Sequence, residues 1–277
     1  MNCLLDANFK RLWKNKCFWI CMGAMFIYIF QYMWKCCQYT LEDMLMDELN
    51  FEYYYFQFAL AIGLFCGIFS TIFLSREYSD GAVRNKIIAG YKRRNIYFSH
   101  LAVIYFASLL MLLVGIITAL IGLPTFGLWK MGVEKCLLYL LVTAMFTLAF
   151  CAIYTLINIL IPNRGLSAVL TILLFLVLFL VSIKIFDSLH APAVVFQEIS
   201  FDTEEVNFRD PMPNPRYVDG MKREILDFIM DLLPTGQAYR VAYLDVVHPV
   251  RMIFCSLGLT ALVTVFGIFQ FERKDLK

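Results

Sequence analysis

Charge is scarce in this chain, and the motifs that most enzymes need are missing. Only 17% of its 277 residues are charged and three are histidines, whereas a soluble domain is typically about a quarter charged. The sequence has no Gly-x-x-x-x-Gly-Lys-Ser/Thr loop for a nucleotide phosphate, no His-Glu-x-x-His pair for zinc and no Gly-x-Ser-x-Gly turn for a nucleophile. We therefore predict a protein that is not an enzyme and has no catalytic, cofactor-binding or metal site of its own.

Two further classes lose support from the distribution of charge. The net charge is only +2, and no basic stripe is interleaved with aromatic residues, so nucleic-acid binding is not indicated. Ionisable residues are nearly absent from the long apolar runs. A proton relay or an ion-driven transporter would need such residues inside the membrane.

Apolar sequence, by contrast, is abundant. Apolar residues make up 61% of the chain, and its mean hydropathy is +0.69. Six apolar runs are long enough to cross a hydrocarbon core of about 30 Å, and backbone that faces lipid must be paired within a helix or a closed barrel. We predict an all-α integral membrane protein, one transmembrane domain over residues 1–277, with spans at residues 17–34, 54–74, 97–122, 136–161, 166–181 and 252–271.

Basic residues collect in alternate loops. They precede the first span, fill the loop between the second and third spans, and follow the last span, whereas the first loop is acidic. Because Lys and Arg are retained on the cytoplasmic side, we predict a multi-pass protein of the plasma membrane with both termini in the cytoplasm.

The basic loop of residues 77–94 has an organisation of its own. We predict a short cytoplasmic helix at residues 79–89 that Ser79 or Asp80 caps and that Gly90 ends in a left-handed conformation. Gly81 suits a tight turn before this helix. One side is predicted to be apolar, and Arg84 and Lys86 point elsewhere. Such a helix suits docking to a cytoplasmic partner; the alternative is a positive loop that only sets topology.

Two more amphipathic helices are predicted outside the spans. Residues 4–13 place apolar side chains on one face and basic ones on the other, which is typical of a helix lying along the inner leaflet. The outer segment, residues 184–250, begins with an acidic, irregular stretch and contains a helix from about Met221 to Leu233. That helix caps the membrane domain or rests on the outer leaflet; the sequence does not separate the two.

Two motifs and the order of the spans point to a known family. The segment Asp80-Gly-Ala-Val-Arg-Asn-Lys86 lies between the second and third spans, and Leu232-Leu-Pro-Thr-Gly-Gln237 precedes the last. In these features the chain resembles the membrane subunit of an ABC exporter of the ABC-2 type. The resemblance covers nearly the whole chain in layout. The irregular outer stretch of residues 187–218 is longer than the compact family pattern.

The resemblance implies a permease of the bacterial cell membrane that is powered by a separate ATPase subunit, which binds ATP and Mg. It also implies that two permease chains, identical or different, pair around a path for outward transport. The residues implied to couple to the ATPase are Glu77, Ser79, Asp80, Gly81, Arg84, Asn85, Lys86 and Gly90. Aromatic-rich spans with little charge suit an amphipathic or hydrophobic cargo, such as an antimicrobial peptide, a drug or a lipid-linked molecule.

For some residues within the spans, the sequence is compatible with two roles. Ala59, Gly63 and Gly67 form a small-residue face, which suits packing inside one subunit or a contact between subunits. Asn158 bonds a neighbouring helix or lines a pathway. For the whole protein, the alternative to a permease is a membrane scaffold or sensory subunit that binds a ligand through residues 184–250 without transporting it.

Overall fold

The fold is known from a computed structural model, which describes residues 2–42, 51–79, 81–123, 129–161, 163–195 and 212–274. The acidic part of the first loop, the capping candidate Asp80 and much of the irregular outer stretch lie outside the described residues. The described chain is almost entirely helical. Its one sheet there is a pair of two-residue antiparallel strands.

The described elements follow one another along the chain. In chain order they are α1 (Asn2–Lys14), α2 (Lys16–Glu42), α3 (Phe51–Tyr55), α4 (Phe58–Ser79), α5 (Ala82–Ile88), α6 (Arg93–Ala119, continued by a 3₁₀ turn at Leu120–Gly122), α7 (Val133–Leu160), α8 (Arg164–Leu189), β1 (Val194–Val195), β2 (Met212–Pro213), α9 (Gly220–Leu232), α10 (Pro234–Ala242) and α11 (Pro249–Arg273).

Six of these helices are long and apolar enough to cross a membrane, which confirms the predicted all-α membrane fold. They are α2, α4, α6, α7, α8 and α11. Several boundaries differ from the prediction, and α2 continues to Glu42 past the predicted end at residue 34. A turn at residues 56–57 separates α3 from α4, and α8 continues to Leu189 past the predicted end at residue 181. Lys184 and Asp187 are exposed on that last part, so their charged ends reach water without interrupting the helix.

Helix α4 lies at the centre of the bundle. It is the most deeply buried of the six and contacts α2, α6, α7 and α8. Helices α2, α8 and α11 direct most of their apolar surface outward. A helix in lipid has no need to bury that surface, so the apolar content of these spans agrees with a membrane setting.

Both ends of the described chain lie at the same end of the bundle as α5. This end, which the charge bias predicts to be cytoplasmic, is called the inner end, and the opposite one the outer end. Helix α1 packs on α6 there through Leu4, Asn8 and Leu12, which are all buried. The apolar residues predicted to share one face of α1 therefore do not all face the same way: Leu12 contacts the bundle, whereas Trp13 is exposed.

At the outer end, α9 and α10 form a hairpin against α8 and α11. Met230 and Asp231 on α9 are buried, but Met221 and Ile225 are exposed. Lys222, Arg223 and Glu224 in its first turns are exposed as well. The helix therefore caps the membrane domain with its C-terminal part, where Asp231 is buried beside Met230, an orientation that its pattern of apolar residues does not predict.

Candidate functional site

Two glycines set the ends of α5, the short helix that joins the spans α4 and α6. Gly81 occupies the position before the helix with φ 70°, and Gly90 follows it with φ 86°. The amides of Gly90 and Tyr91 donate to the carbonyls of Ile87 and Lys86, which forms a Schellman motif. This geometry confirms the left-handed helix end that was predicted at Gly90.

The predicted start of α5 is wrong by three residues. Ser79 is the last residue of α4, so the capping position falls to Gly81, which offers no side chain for a hydrogen bond. Its φ of 70° lies in the left-handed region, which favours glycine. Asp80, the other predicted cap, lies outside the described residues.

A buried carboxylate, Glu77, ties α5 to the rest of the inner end. Glu77 is 4% exposed at the end of α4 and accepts two hydrogen bonds from Lys86 Nζ, at 2.8 and 3.0 Å. Arg11 of α1 forms a second ion pair with it, and His100 Nε2 of α6 lies 2.5 Å from Glu77 Oε2. One carboxylate thus connects α1, α4, α5 and α6; we call Glu77, Arg11, Lys86 and His100 the Glu77 cluster.

Asn8 extends this network through α1. Its side-chain oxygen accepts from Lys86 Nζ at 3.1 Å, and its amide donates to Ser99 Oγ at 3.1 Å. Burial, and then the charge of Arg11, lower the pKa of Lys86 to about 8. Lys86 is therefore a partly desolvated cation held by internal acceptors rather than a surface charge.

This placement corrects the predicted faces of α5. Lys86, paired with Arg84 in the prediction of an outward basic surface, points inward to Glu77, and its side chain is 17% exposed. Ile88, predicted to lie on the apolar inner side, is 74% exposed. The inward apolar residue is Val83, which is 2% exposed. The outward face of α5 is formed by Arg84, Asn85 and Ile88.

Neither Arg11 and His100 as partners of Glu77 nor Asn8 as a partner of Lys86 follows from the predictions above. One signal was available: Asn8 lies four residues from both Leu4 and Leu12, so it shares their buried face. A polar residue at such a position requires a polar partner. No comparable signal indicates that Arg11 and His100 converge on the same carboxylate.

The predicted small-residue face of α4 lies inside the bundle. A Cβ at Gly63 would come within 2.7 Å of Phe175 and 2.8 Å of Phe150, and Ala59 is fully buried. Gly67 faces Thr171 and Tyr154. These residues pack α4 on α7 and α8 of the same chain, which favours packing within one subunit over a contact between subunits.

Asn158 also bonds within the chain. It is 1% exposed, its amide donates to the Tyr154 carbonyl at 2.7 Å, and its oxygen accepts from Ser167 Oγ at 2.5 Å. Ser167 belongs to α8, so this bond joins two neighbouring spans. The geometry favours the helix-bonding interpretation of Asn158.

The outer end holds a second charged network, which the sequence analysis did not predict. Asp231 is fully buried and lies 3.1 Å from Arg240 and 2.5 Å from Arg251. Asp227 forms ion pairs with the same two arginines. These four residues join α9, α10 and α11, and the two arginines balance the two aspartates.

The motif of residues 232–237 folds the hairpin of α9 and α10. A Cβ at Gly236 would collide with the backbone oxygen of Met230, so only glycine allows this approach. The amide of Gln237 donates to the carbonyls of Asp231 and Met252, at 2.6 and 3.0 Å, and its oxygen accepts from Ser256. Gln237 therefore fastens the hairpin to the last span.

Comparison with protein families gives a match over much of this structure. A family model described as ABC-2 family transporter protein matches residues 4–182. The matched range begins in α1, includes the Glu77 cluster and α5, and ends within α8. The outer hairpin and the last span lie beyond it. None of the curated proteins matches the sequence.

Proposed function

The chain belongs to the ABC-2 family of transporter proteins, and from this membership we propose that it is the permease subunit of an ATP-driven exporter. A separate ATPase subunit docks on α5 at the inner end and supplies the energy. The cargo is an amphipathic or hydrophobic molecule, such as an antimicrobial peptide, a drug or a lipid-linked compound, and it moves outward. Family membership favours this function over a scaffold or sensory subunit that transports nothing.

The observation that carries the proposal is the two-sided construction of α5. Its inner side is held by the ion pair of Lys86 with Glu77 and by buried Val83. Its outer side presents Arg84, Asn85 and the 74% exposed Ile88. A loop that only sets membrane topology needs charge, but it needs neither a buried anchor nor an exposed apolar residue beside the charge. A protein partner suits this combination.

The Glu77 cluster explains how force on α5 would reach the spans. Helix α5 lies between the inner ends of α4 and α6, and Glu77 links it to both. Gly81 and Gly90 terminate α5 without lengthening the connections. A partner that displaces α5 therefore moves the ends of α4 and α6 with it, and Arg11 carries the movement to α1.

The energy source must come from another polypeptide, because this sequence contains no phosphate-binding loop of the Walker type. ATP and Mg belong to the ATPase subunit in this proposal. The complete assembly contains two permease chains, identical or different, and two ATPase subunits, in the bacterial plasma membrane with both permease termini in the cytoplasm.

The test of docking uses the outward face of α5. Replacing Arg84→Glu together with Ile88→Glu should abolish copurification of the co-expressed ATPase and cargo efflux, since like charges placed across an interface cost several kcal/mol. The chain should still insert, because the Glu77 cluster is untouched. Lys92→Glu with Arg94→Glu is the matched control, as both residues are exposed but lie beyond α5.

The control should keep ATPase binding and efflux near the wild-type level. Wild-type binding and efflux in the Arg84/Ile88 variant would show that α5 is only a positively charged connection. A mass measurement in detergent that finds one fully active permease bound to one ATPase would contradict the proposed assembly.

A further inference from the structure

A polar cleft lies beside the Glu77 cluster, where α1 ends and α2 begins. It encloses about 270 Å³ and is lined by Arg11, Lys14, Asn15, Arg76, Glu77 and Ala82. From this geometry we infer that the cleft binds the phosphate of an anionic phospholipid headgroup from the inner leaflet. The binding site does not depend on the proposed transport function.

Asn15 is the residue that points to a ligand. It is 7% exposed, lines the cleft and serves α2 as a cap, because its side-chain oxygen accepts the Cys17 amide at 2.9 Å. Its amide nitrogen donates to no described residue. An amide donor that lines a cleft can bind an acceptor there, and a phosphate oxygen is a suitable one.

The charges around the cleft favour an anion. Among the described residues, the cations Arg11, Lys14 and Arg76 line it beside one carboxylate, Glu77, which also accepts from Lys86 outside the cleft. The start of α2 adds the partial positive charge of a helix of 27 residues. A phosphodiester carries one negative charge and several acceptor oxygens, which match these donors.

The surroundings indicate that the phosphate comes from a lipid. Trp13 and Trp19 are about half exposed next to the cleft, and the Trp19 indole donates to the Trp13 carbonyl at 3.0 Å. Exposed tryptophans are typical of the headgroup level. Ile20 follows on α2 with 68% exposure, which provides apolar surface for the acyl chains of a headgroup held in the cleft.

Binding there would engage a residue of the Glu77 cluster. Arg11 pairs with Glu77 and also lines the cleft, so a bound phosphate would add a second anionic contact to the guanidinium that joins α1 to α4. Headgroup binding is therefore expected to stabilise the packing of α1 on the bundle.

Native mass spectrometry of the purified full chain, titrated with phosphatidylglycerol or phosphatidylcholine, tests the inference. Wild-type protein should retain phosphatidylglycerol selectively and should unfold at a higher temperature in its presence. Lys14→Gln with Arg76→Gln should weaken phosphatidylglycerol binding by roughly thirtyfold, because two cations near the membrane surface are lost. Lys14→Arg with Arg76→Lys should restore it.

Lys92→Gln with Arg94→Gln removes the same charge from exposed positions outside the cleft and should bind phosphatidylglycerol like the wild type. If the double cleft variant does not fold, Lys14→Gln alone should still lose roughly fivefold. Equal retention of both lipids, or equal losses in cleft and control variants, would overturn the inference. Displacement of the lipid by an equal concentration of inorganic phosphate would assign the cleft to a soluble anion and overturn the lipid assignment.

Discussion

At the scale of single residues, Glu77 is the side chain that joins four helices at the inner end. It is buried, and its two oxygens face Arg11, Lys86 and His100 from three different helices. A buried ion pair is costly to form, but removing one partner leaves the others as uncompensated buried charge. The residue is therefore expected to be more sensitive to substitution than a surface charge.

Glu77→Gln should destabilise the protein by about 3–5 kcal/mol, because Arg11 and Lys86 would then face a neutral amide. The free energy of unfolding in detergent micelles measures this loss. Asp6→Asn is the control: Asp6 pairs with Lys10 on the exposed side of α1, and its loss should leave the stability unchanged. Equal effects of the two variants would show that the Glu77 cluster is unimportant for stability.

Lys86 makes the stability of the inner end depend on pH. Its pKa is about 8 in the folded protein, lowered by burial and then by Arg11 from an ordinary value of 10.5. Between these values the unfolded chain binds more protons than the folded one, so the contribution of Lys86 to folding rises with pH. Below about pH 8 its full desolvation penalty is present.

The free energies of unfolding of the wild type and Lys86→Met, measured from pH 7 to pH 10.5, test this dependence. The free energy of unfolding of the wild type should rise relative to that of Lys86→Met as the pH rises through about 8, because lysine loses its proton and methionine does not titrate. Parallel pH profiles for the two proteins would contradict the lowered pKa of Lys86.

At the scale of elements, the hairpin of α9 and α10 depends on one close approach. Gly236→Ala should destabilise the protein by about 1–3 kcal/mol, because the added Cβ meets the Met230 carbonyl and the backbone must shift. Gly258→Ala, at a position in α11 with nothing within 4 Å, is the matched control and should be neutral or slightly stabilising. Equal melting temperatures for both variants would show that the hairpin adjusts freely.

Helix α9 also shows why its amphipathic pattern alone was ambiguous. Its regular apolar side contains Met221 and Ile225, which are exposed, whereas Asp227 and Asp231 turn toward Arg240 and Arg251. In a soluble protein the apolar side of such a helix faces the core. At a membrane surface either side of such a helix can face the protein. The positions of Arg240 on α10 and Arg251 on α11 therefore determine which side of α9 faces the bundle.

At the scale of the whole molecule, orientation is the property on which the proposed function depends. A cysteine introduced at Asp219 or Lys130, at the outer end, should react with an impermeant maleimide added to intact cells. One introduced at Arg84 or Asn163, at the inner end, should react only after permeabilisation, because the Lys and Arg bias predicts that this end lies in the cytoplasm. Labelling at Arg84 in intact cells would invert the topology and remove the docking site for a cytoplasmic ATPase.

The sequence by itself determined the six spans, the α-helical class and the glycine that ends α5. Hydropathy and length are properties of a continuous segment, and a left-handed helix end requires glycine locally. The exact ends were less predictable. Helix α8 continues through Lys184 and Asp187 because exposed charged side chains do not interrupt a helix at the membrane edge.

Only the tertiary structure decided which side chains meet. Lys86 bonds Asn8, which is 78 positions away, and Glu77 gathers partners from three other helices. No local pattern encodes such distances, since they follow from how α1, α4 and α6 pack at the inner end. The same packing turned Lys86 inward and left Ile88 exposed, so the composition of the outward face of α5 follows from the burial of one ion pair.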